Sequence, residues 1–371
     1  MLAASLLTLA LGQTLAQPPV QVPADSNDPI WALQPQSVIL PDGSAAEGLT
    51  VLVQGDRILN VGKDLVLPPK VRAMKLDGVL APGFVDAFSA YGSDGRAQEN
   101  SRNLTPNLRA ADALDLRDND QWSDLRDAGV TSIHLMPVPS NVQAGWGTMV
   151  SSGGEGERVL AKTTRQVLSL AAQAVNDRDF GPSSQAGAVE LFEQSKPAKI
   201  KGIDKSGAIV HVASAEAIKT ARTELGKIDT RWLLWGDPGS YGGELRGQSV
   251  GMQIPAGGSW SPRAMETLKR LNKAGVKVCF GTWAWRSARS PQDLRRTAIL
   301  MSRVTGDPAA ALASITSGAA DFIGNDQVGA IAEGRRADLV LWSAHPLDSS
   351  ARIRAVMIGG KTVSRGNAQE N

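Results

Sequence analysis

The sequence predicts an α/β protein in which a parallel (β/α)8 barrel carries a small β-sandwich formed by both chain ends. Three observations predict this architecture. Short alternating segments separated by turn residues occupy both ends of the chain, apolar strands alternate with amphipathic helices between them, and this central part spans about 240 residues. A parallel sheet needs helices over its faces, and eight strand–helix units need a span of about this length.

The first predicted element is an export signal. Residues 2–16 are mostly apolar and uncharged, although no Lys or Arg precedes them, and small residues allow cleavage after Ala16. We therefore assign residues 1–16 as a signal peptide and 17–30, which is rich in proline, as a tether. The alternative is an apolar terminus packed on the protein. The assignment predicts export to the periplasm or the extracellular space, and the absence of any later apolar run of bilayer length predicts that the protein is not an integral membrane protein.

The remaining elements follow in order. Residues 31–80 read as hairpin strands because period-two alternation is broken by Pro-Asp-Gly, Gln-Gly-Asp and Asp-Gly turns. Residues 81–325 alternate strands with helices and form the predicted barrel, complete or shortened. Residues 326–371 return to strands joined by tight turns, and they complete the predicted sandwich.

The composition is that of an ordinary folded protein. Of the 371 residues, 42% are hydrophobic and 20% charged, and 39 basic against 37 acidic residues leave a formal charge of +2. This balance offers no basic face, so we expect no nucleic-acid partner. The single cysteine, Cys279, excludes a disulfide framework and a multi-cysteine zinc site.

Three blocks of sequence carry a resemblance to a known family. They are residues 51–90, which end in LAPGFVDAFSA, residues 128–150, and residues 310–363, which contain GAIAEGRRADLVLW. In this order they resemble the amidohydrolase superfamily, in particular its imidazolonepropionase-related branch. The resemblance implies a barrel enzyme that hydrolyses carbon–nitrogen bonds with water activated by one or two divalent metals such as zinc.

The metal ligands that the resemblance implies are largely replaced. The first barrel strand of relatives ends in Asp-Ala-His-x-His, whereas this chain has Phe88 and Ala90 at the two histidine positions. His211 stands where relatives often have a ligand, but Trp235 replaces a later histidine and Trp283 replaces the aspartate of the last strand. Catalytic zinc generally needs three protein ligands, so the resemblance implies a degenerate site.

One further position stays open. The Lys or Glu of the fourth strand in relatives cannot be aligned here, and Lys162 is only the nearest basic residue. Neither His134, inside the second strand, nor His345, in the C-terminal segment, replaces a lost ligand. We expect His211 to be a hydrogen-bonded pocket histidine, although it is the one candidate for a metal ligand.

Aromatic residues at the lost positions suggest a different site. Phe88, Trp235 and Trp283, with Trp285 two residues beyond, would line or fill the cavity that holds ions in relatives. Asp86 and Ser89 are the polar candidates for the same pocket. Sequence leaves open whether this pocket is empty or filled.

Three hypotheses follow. The first is an exported, catalytically degenerate protein that has no metal and binds a small apolar ligand or a protein partner. The second is an active metal-dependent hydrolase of non-peptide carbon–nitrogen bonds, with a set of ligands drawn from Asp86, His134, His211 or Asp237. The third is a subunit that supports an active relative. Fold alone does not distinguish them.

Overall fold

The computed structural model describes residues 28–67, 69–89, 91–93, 97–99, 101–117, 120–154, 156–175, 181–235, 244–254, 260–284 and 287–365. The strands in these ranges are β1 Ile30–Ile39, β2 Ala45–Glu47, β3 Thr50–Gln54, β4 Arg57–Gly62, β5 Arg72–Pro82, β6 Phe84–Ser89, β7 Val130–Leu135, β8 Gln143–Trp146, β9 Thr148–Ser151, β10 Val159–Ala161, β11 Gln166–Leu170, β12 Ala208–Val212, β13 Thr230–Leu234, β14 Ser249–Gln253, β15 Lys277–Gly281, β16 Trp283–Ala284, β17 Ser287–Ala288, β18 Leu339–Trp342, β19 Ile353–Ile358 and β20 Lys361–Arg365. The α-helices are α1 Asp120–Asp127, α2 Gln185–Gln194, α3 Ile203–Ser206, α4 Ala215–Leu225, α5 Pro262–Lys273, α6 Gln292–Thr305, α7 Pro308–Ala313 and α8 Ser317–Ile323. The predicted signal peptide lies outside these residues.

Strands from both chain ends join in one hydrogen-bonded sheet. Its order is β20-β19-β18-β5-β1-β3-β4, with β2 also paired to β1. β1 and β5 run parallel, while β18, from the C-terminal segment, is antiparallel to the end of β5. Alternating side chains from both chain ends, including Leu33, Val51 and Leu339, share one buried cluster. Only Gly83 separates β5 of this sheet from β6, the first strand of the barrel, so the chain passes directly from the sheet into the barrel.

The barrel is built around five consecutive parallel strands, β11 to β15, and the parallel pair β6 and β7. The segment that contains β8 and β9 connects the two groups, since β9 pairs with β7 and β8 pairs with β11. Both pairings are antiparallel. The predicted barrel is therefore present, with eight strand positions of which the third runs in the opposite direction.

Helix boundaries on the barrel follow local chemistry. α4 begins after Ser214, whose hydroxyl accepts a hydrogen bond from the amide of Ala217, and ends at Gly226. α5 begins after Ser261 in the same way and has Pro262 at its first position, where a missing N–H costs nothing. Within the described residues, no helix has the length and apolar character needed to cross a bilayer.

The lumen of the barrel is a packed apolar core. Alternate residues of neighbouring strands point inward, and Val167, Ile209, Leu233 and Cys279 belong to one buried cluster. The short helix α8 contributes Phe322 to the same cluster. α8 sits at the amino end of the barrel, because its Asp321 pairs with Arg231 and Lys277 at the beginning of β13 and β15.

Candidate functional site

The described residues that the resemblance aligns with metal ligands lie near the carboxyl ends of the barrel strands, where barrel enzymes place their active sites. His211 is the fourth of five residues in β12, and Trp235 directly follows β13. Trp283 comes two residues after the end of β15. Phe88 is near the end of β6.

The imidazole of His211 is fully buried. The ring nitrogen Nδ1 is 3.4 Å from the hydroxyl of Ser169, which occupies the matching position on the neighbouring strand β11. Nε2 has no hydrogen-bond partner of normal geometry among the described residues. Burial lowers the pKa of His211 to about 3, and the nearby carbonyl of Pro139 opposes that shift only in part. The ring is therefore neutral at physiological pH.

Two indole rings enclose this imidazole. The ring centroid of Trp235 is 5.6 Å from that of His211, and the centroid of Trp283 is 6.0 Å away; both ring pairs are edge-on, at 84°. Trp283 is only 6% exposed, whereas Trp235 is half-buried. Such edge-to-face contacts stabilise aromatic pairs beyond the burial of their area. The sequence predicted these three residues at one site, and the structure brings them together.

Phe88 fills the lumen beneath this cluster. Its ring packs 6.2 Å from that of Phe322, centroid to centroid. Two glycines on the facing strands make room for it: a Cβ at Gly281 would lie 2.6 Å from the ring, and a Cβ at Gly251 would lie 2.8 Å from it. The sequence left open whether the aromatic pocket is empty or filled, and at this position the ring of Phe88 fills it.

Asp86 closes the barrel instead of facing a cavity. Its carboxylate accepts hydrogen bonds from the amide of Thr282 at 2.9 Å and from the Thr282 hydroxyl at 2.5 Å, and so joins β6 to the end of β15. Burial raises the pKa of Asp86, although these hydrogen bonds act in the opposite direction. The hydroxyl of Ser89 accepts a hydrogen bond from the amide of Tyr91.

The other histidines have structural environments. Both ring nitrogens of buried His134 are paired, Nδ1 with the carbonyl of Ala87 at 2.9 Å and Nε2 with the hydroxyl of Thr164 at 2.8 Å. Since a carbonyl only accepts, Nδ1 carries the proton. Burial lowers the pKa of His134 to about 4. His345 is half-buried beyond β18 and accepts a hydrogen bond from the amide of Leu347.

Three predicted positions, Ala90, Trp285 and Asp237, lie outside the described residues. Lys162 is exposed and precedes β11. The residue of the fourth strand that faces His211 is Ser169, which sequence reasoning missed because the register between β11 and β12 is not written in any motif.

The donor set at this site does not fit a divalent metal. Of the described residues at the ligand positions, only His211 offers a donor atom, its unpaired Nε2, while Phe88, Trp235 and Trp283 offer none. No group of three His, Cys, Asp or Glu side chains in the described part of the chain could hold an ion. A neutral imidazole whose pKa is about 3 is also a poor general base near neutral pH.

Comparisons with known proteins agree on one fold. The model of the amidohydrolase family matches residues 183–363. No curated protein sequence matches the chain. An amidohydrolase from Thermotoga maritima is 21% identical in sequence and superposes with a TM-score of 0.77, over 91% of this chain and 100% of that one.

Two further solved structures are similar at lower scores. Phenylurea hydrolase B is 17% identical, with a TM-score of 0.60 over 91% of this chain and 97% of its own. A. niger ochratoxinase is 13% identical, with a TM-score of 0.58 over 92% of this chain and 97% of its own. At these identities the likeness establishes the barrel fold and leaves the chemistry to be argued from the site.

Proposed function

We propose that this chain is a catalytically degenerate member of the amidohydrolase superfamily that binds a small apolar ligand or a protein partner without a catalytic metal. One observation carries the proposal: His211 is enclosed edge-on by Trp235 and Trp283 at positions where a hydrolase of this family would need charged or imidazole ligands.

Electrostatics supports the loss of the metal. A divalent ion transferred into this apolar surrounding would need several oxygen or nitrogen ligands to replace its hydration shell, and His211 supplies a single nitrogen. Asp86 and His134, two ligands of the alternative hydrolase hypothesis, already bind Thr282 and the pair Ala87 and Thr164.

The binding role is supported by the uneven burial of the two indoles. Trp283 is buried and holds one side of the His211 ring, whereas Trp235 is half-buried at the carboxyl end of the barrel. A half-buried indole offers a flat apolar surface for stacking. Because Phe88 fills the lumen below, the ligand would bind above the cluster rather than inside the barrel.

Metal analysis tests the proposal directly. We expect the purified full chain, incubated with zinc and then dialysed, to retain far less than one ion per molecule by plasma mass spectrometry. The Phe88→His variant should behave in the same way, because Trp283 still replaces the carboxylate of the last strand. Retention of one or two ions per chain, abolished by His211→Phe, would contradict the proposal and support an active hydrolase.

Export is part of the proposal. It is supported by the apolar run at 2–16 and the proline-rich stretch at 17–30. Fractionation of cells that express the full chain should recover the protein outside the cytoplasm, with Gln17 as its first residue. A cytoplasmic protein that keeps Met1 would contradict export and leave the proposal on the metal unaffected.

A further inference from the structure

A polar cleft of about 490 Å³ opens at the amino end of the barrel, opposite the end that carries His211. Three consecutive strands contribute residues from their beginnings, Arg231 from β13, Ser249 from β14 and Lys277 from β15. α8 adds Asp321, and α4 adds Arg222. The volume is that of a small-molecule site.

Cations outnumber carboxylates in the lining. Arg222, Arg231 and Lys277 face the cleft, together with Asp229 and Asp321. Both carboxylates are already shared: Arg231 contacts each of them, and Asp229 also binds the guanidinium of Arg165 at 2.7 Å. Although burial opposes ionisation, Arg165 and Arg231 lower the pKa of Asp229.

Two buried donors in the lining lack partners. The Nε atom of Arg231 and the hydroxyl of Ser249 make no hydrogen bond within the described part of the chain. Ser249 is only 5% exposed, so its hydroxyl is largely removed from bulk water. Among the described residues, Lys277 has one weak ionic contact, with its ammonium 4.0 Å from the carboxylate of Asp321. Buried polar groups normally have partners, so these unpaired donors indicate a missing acceptor.

We infer that this cleft binds a small oxyanion, a carboxylate- or phosphate-bearing molecule, through Arg231 Nε, Ser249 Oγ and Lys277 Nζ. All three groups donate hydrogen bonds, and two of them carry positive charge, which suits an acceptor with several negatively charged oxygens. Asp229 and Asp321, which also line the cleft, hold the two terminal nitrogens of the Arg231 guanidinium and leave its Nε unpaired within the described residues. The site shares no residue with the His211 cluster, so this inference is independent of the proposed function.

Calorimetric titration of the full chain tests it. Inorganic phosphate and citrate are titrated separately, and saturable binding of either one, weakened by added salt, is the expected result. Binding of phosphate alone or of citrate alone supports the site and identifies the class of oxyanion. If neither binds at millimolar concentration, or if the dication putrescine binds instead, the inference is wrong.

Variants locate the binding. Ser249→Ala should weaken the bound oxyanion about tenfold, and Lys277→Gln about threefold because its ammonium is more exposed. Lys273→Gln removes the same charge from an exposed residue of α5 that does not line the cleft, and it should leave the affinity unchanged. Equal affinities in the wild type, Ser249→Ala and Lys277→Gln would overturn the assignment. So would a loss of affinity in Lys273→Gln as large as that in Lys277→Gln.

Discussion

The two ends of the barrel differ in the charge state of their buried polar side chains. At the carboxyl end, His211 lies among apolar rings and is neutral, with its pKa lowered to about 3. At the amino end, Arg165 is equally buried, with a side chain only 4% exposed, but it pairs with the carboxylate of Asp229. The neighbours of a buried group thus decide whether it keeps its charge.

This difference has a functional meaning. A barrel hydrolase that uses a metal needs ligands at the carboxyl end, whereas the described residues at this end of the chain place the rings of Trp235 and Trp283 against His211. The amino end, which in barrel enzymes serves stability, keeps a chain of ionic contacts that runs through Asp229, Arg231 and Asp321. Under the two proposals, the carboxyl end would bind an apolar ligand or a protein partner, and the amino end would bind an oxyanion.

The largest loss of stability should come from removing the aromatic ring that fills the barrel lumen below the carboxyl end. Phe88→Ala should lower the free energy of unfolding by about 3–5 kcal/mol, because the ring fills the space beside Gly251 and Gly281 and packs on Phe322. Urea denaturation measures the change. Val66→Ala is the control, since Val66 is 72% exposed, and it should stay within about 0.5 kcal/mol. A loss below about 1 kcal/mol for Phe88→Ala would mean that the lumen is not packed on this ring.

The second effect is a pH dependence of stability. Between the unfolded pKa of 6.5 and the folded value of about 3, the unfolded chain binds a proton at His211 and the folded chain does not. The free energy of unfolding therefore falls as the pH drops below about 6.5, by about 1.4 kcal/mol per pH unit for this histidine. His134 adds a similar slope down to about pH 4.

The variant His211→Phe isolates that slope. Denaturation at pH 7, 6 and 5 should show a shallower loss of stability in the variant than in the wild type, because only His134 then contributes strongly. The raised pKa of Asp86 acts with the opposite sign above pH 3.8, but it is common to both proteins and cancels in the difference. Replacing half-buried His345 with Phe should change the slope less. Identical slopes in wild type and His211→Phe would show that His211 is not buried as a neutral ring.

Much of the fold could be predicted because its signals are local. Turn residues between alternating segments and amphipathic stretches after apolar ones indicated the end sheet and the barrel, and the shared fold confirms the barrel. The reversed third position at β8 and β9 could not be predicted, since a strand's alternation is the same in both directions.

The site was predictable only where a motif fixes the position of a residue in its strand. Phe88, Trp235 and Trp283 were placed by their offsets from family motifs, and their meaning as lost ligands stays a prediction. Ser169 and Phe322 depend on the register between strands and on a helix that returns to the barrel late in the chain. Such contacts arise from tertiary packing, which no local pattern records.

The smallest loss of stability should come from removing one charge of the ion pair at the amino end of the barrel. Asp229→Asn removes the charge that faces buried Arg165 but keeps an acceptor oxygen, so we expect a loss of about 1–2 kcal/mol after allowing for the exposure of Asp229. Asp127→Asn, at an exposed position of α1, is the control and should change stability by less than about 0.5 kcal/mol. The loss of stability in each variant is measured by urea denaturation at low and at high salt. The loss caused by Asp229→Asn should persist at high salt, because salt screens a pair that involves a buried guanidinium less than it screens a surface charge. If Asp229→Asn costs no more than the control, ionic pairing does not stabilise the amino end, and the contrast between the two ends reduces to how tightly each is packed.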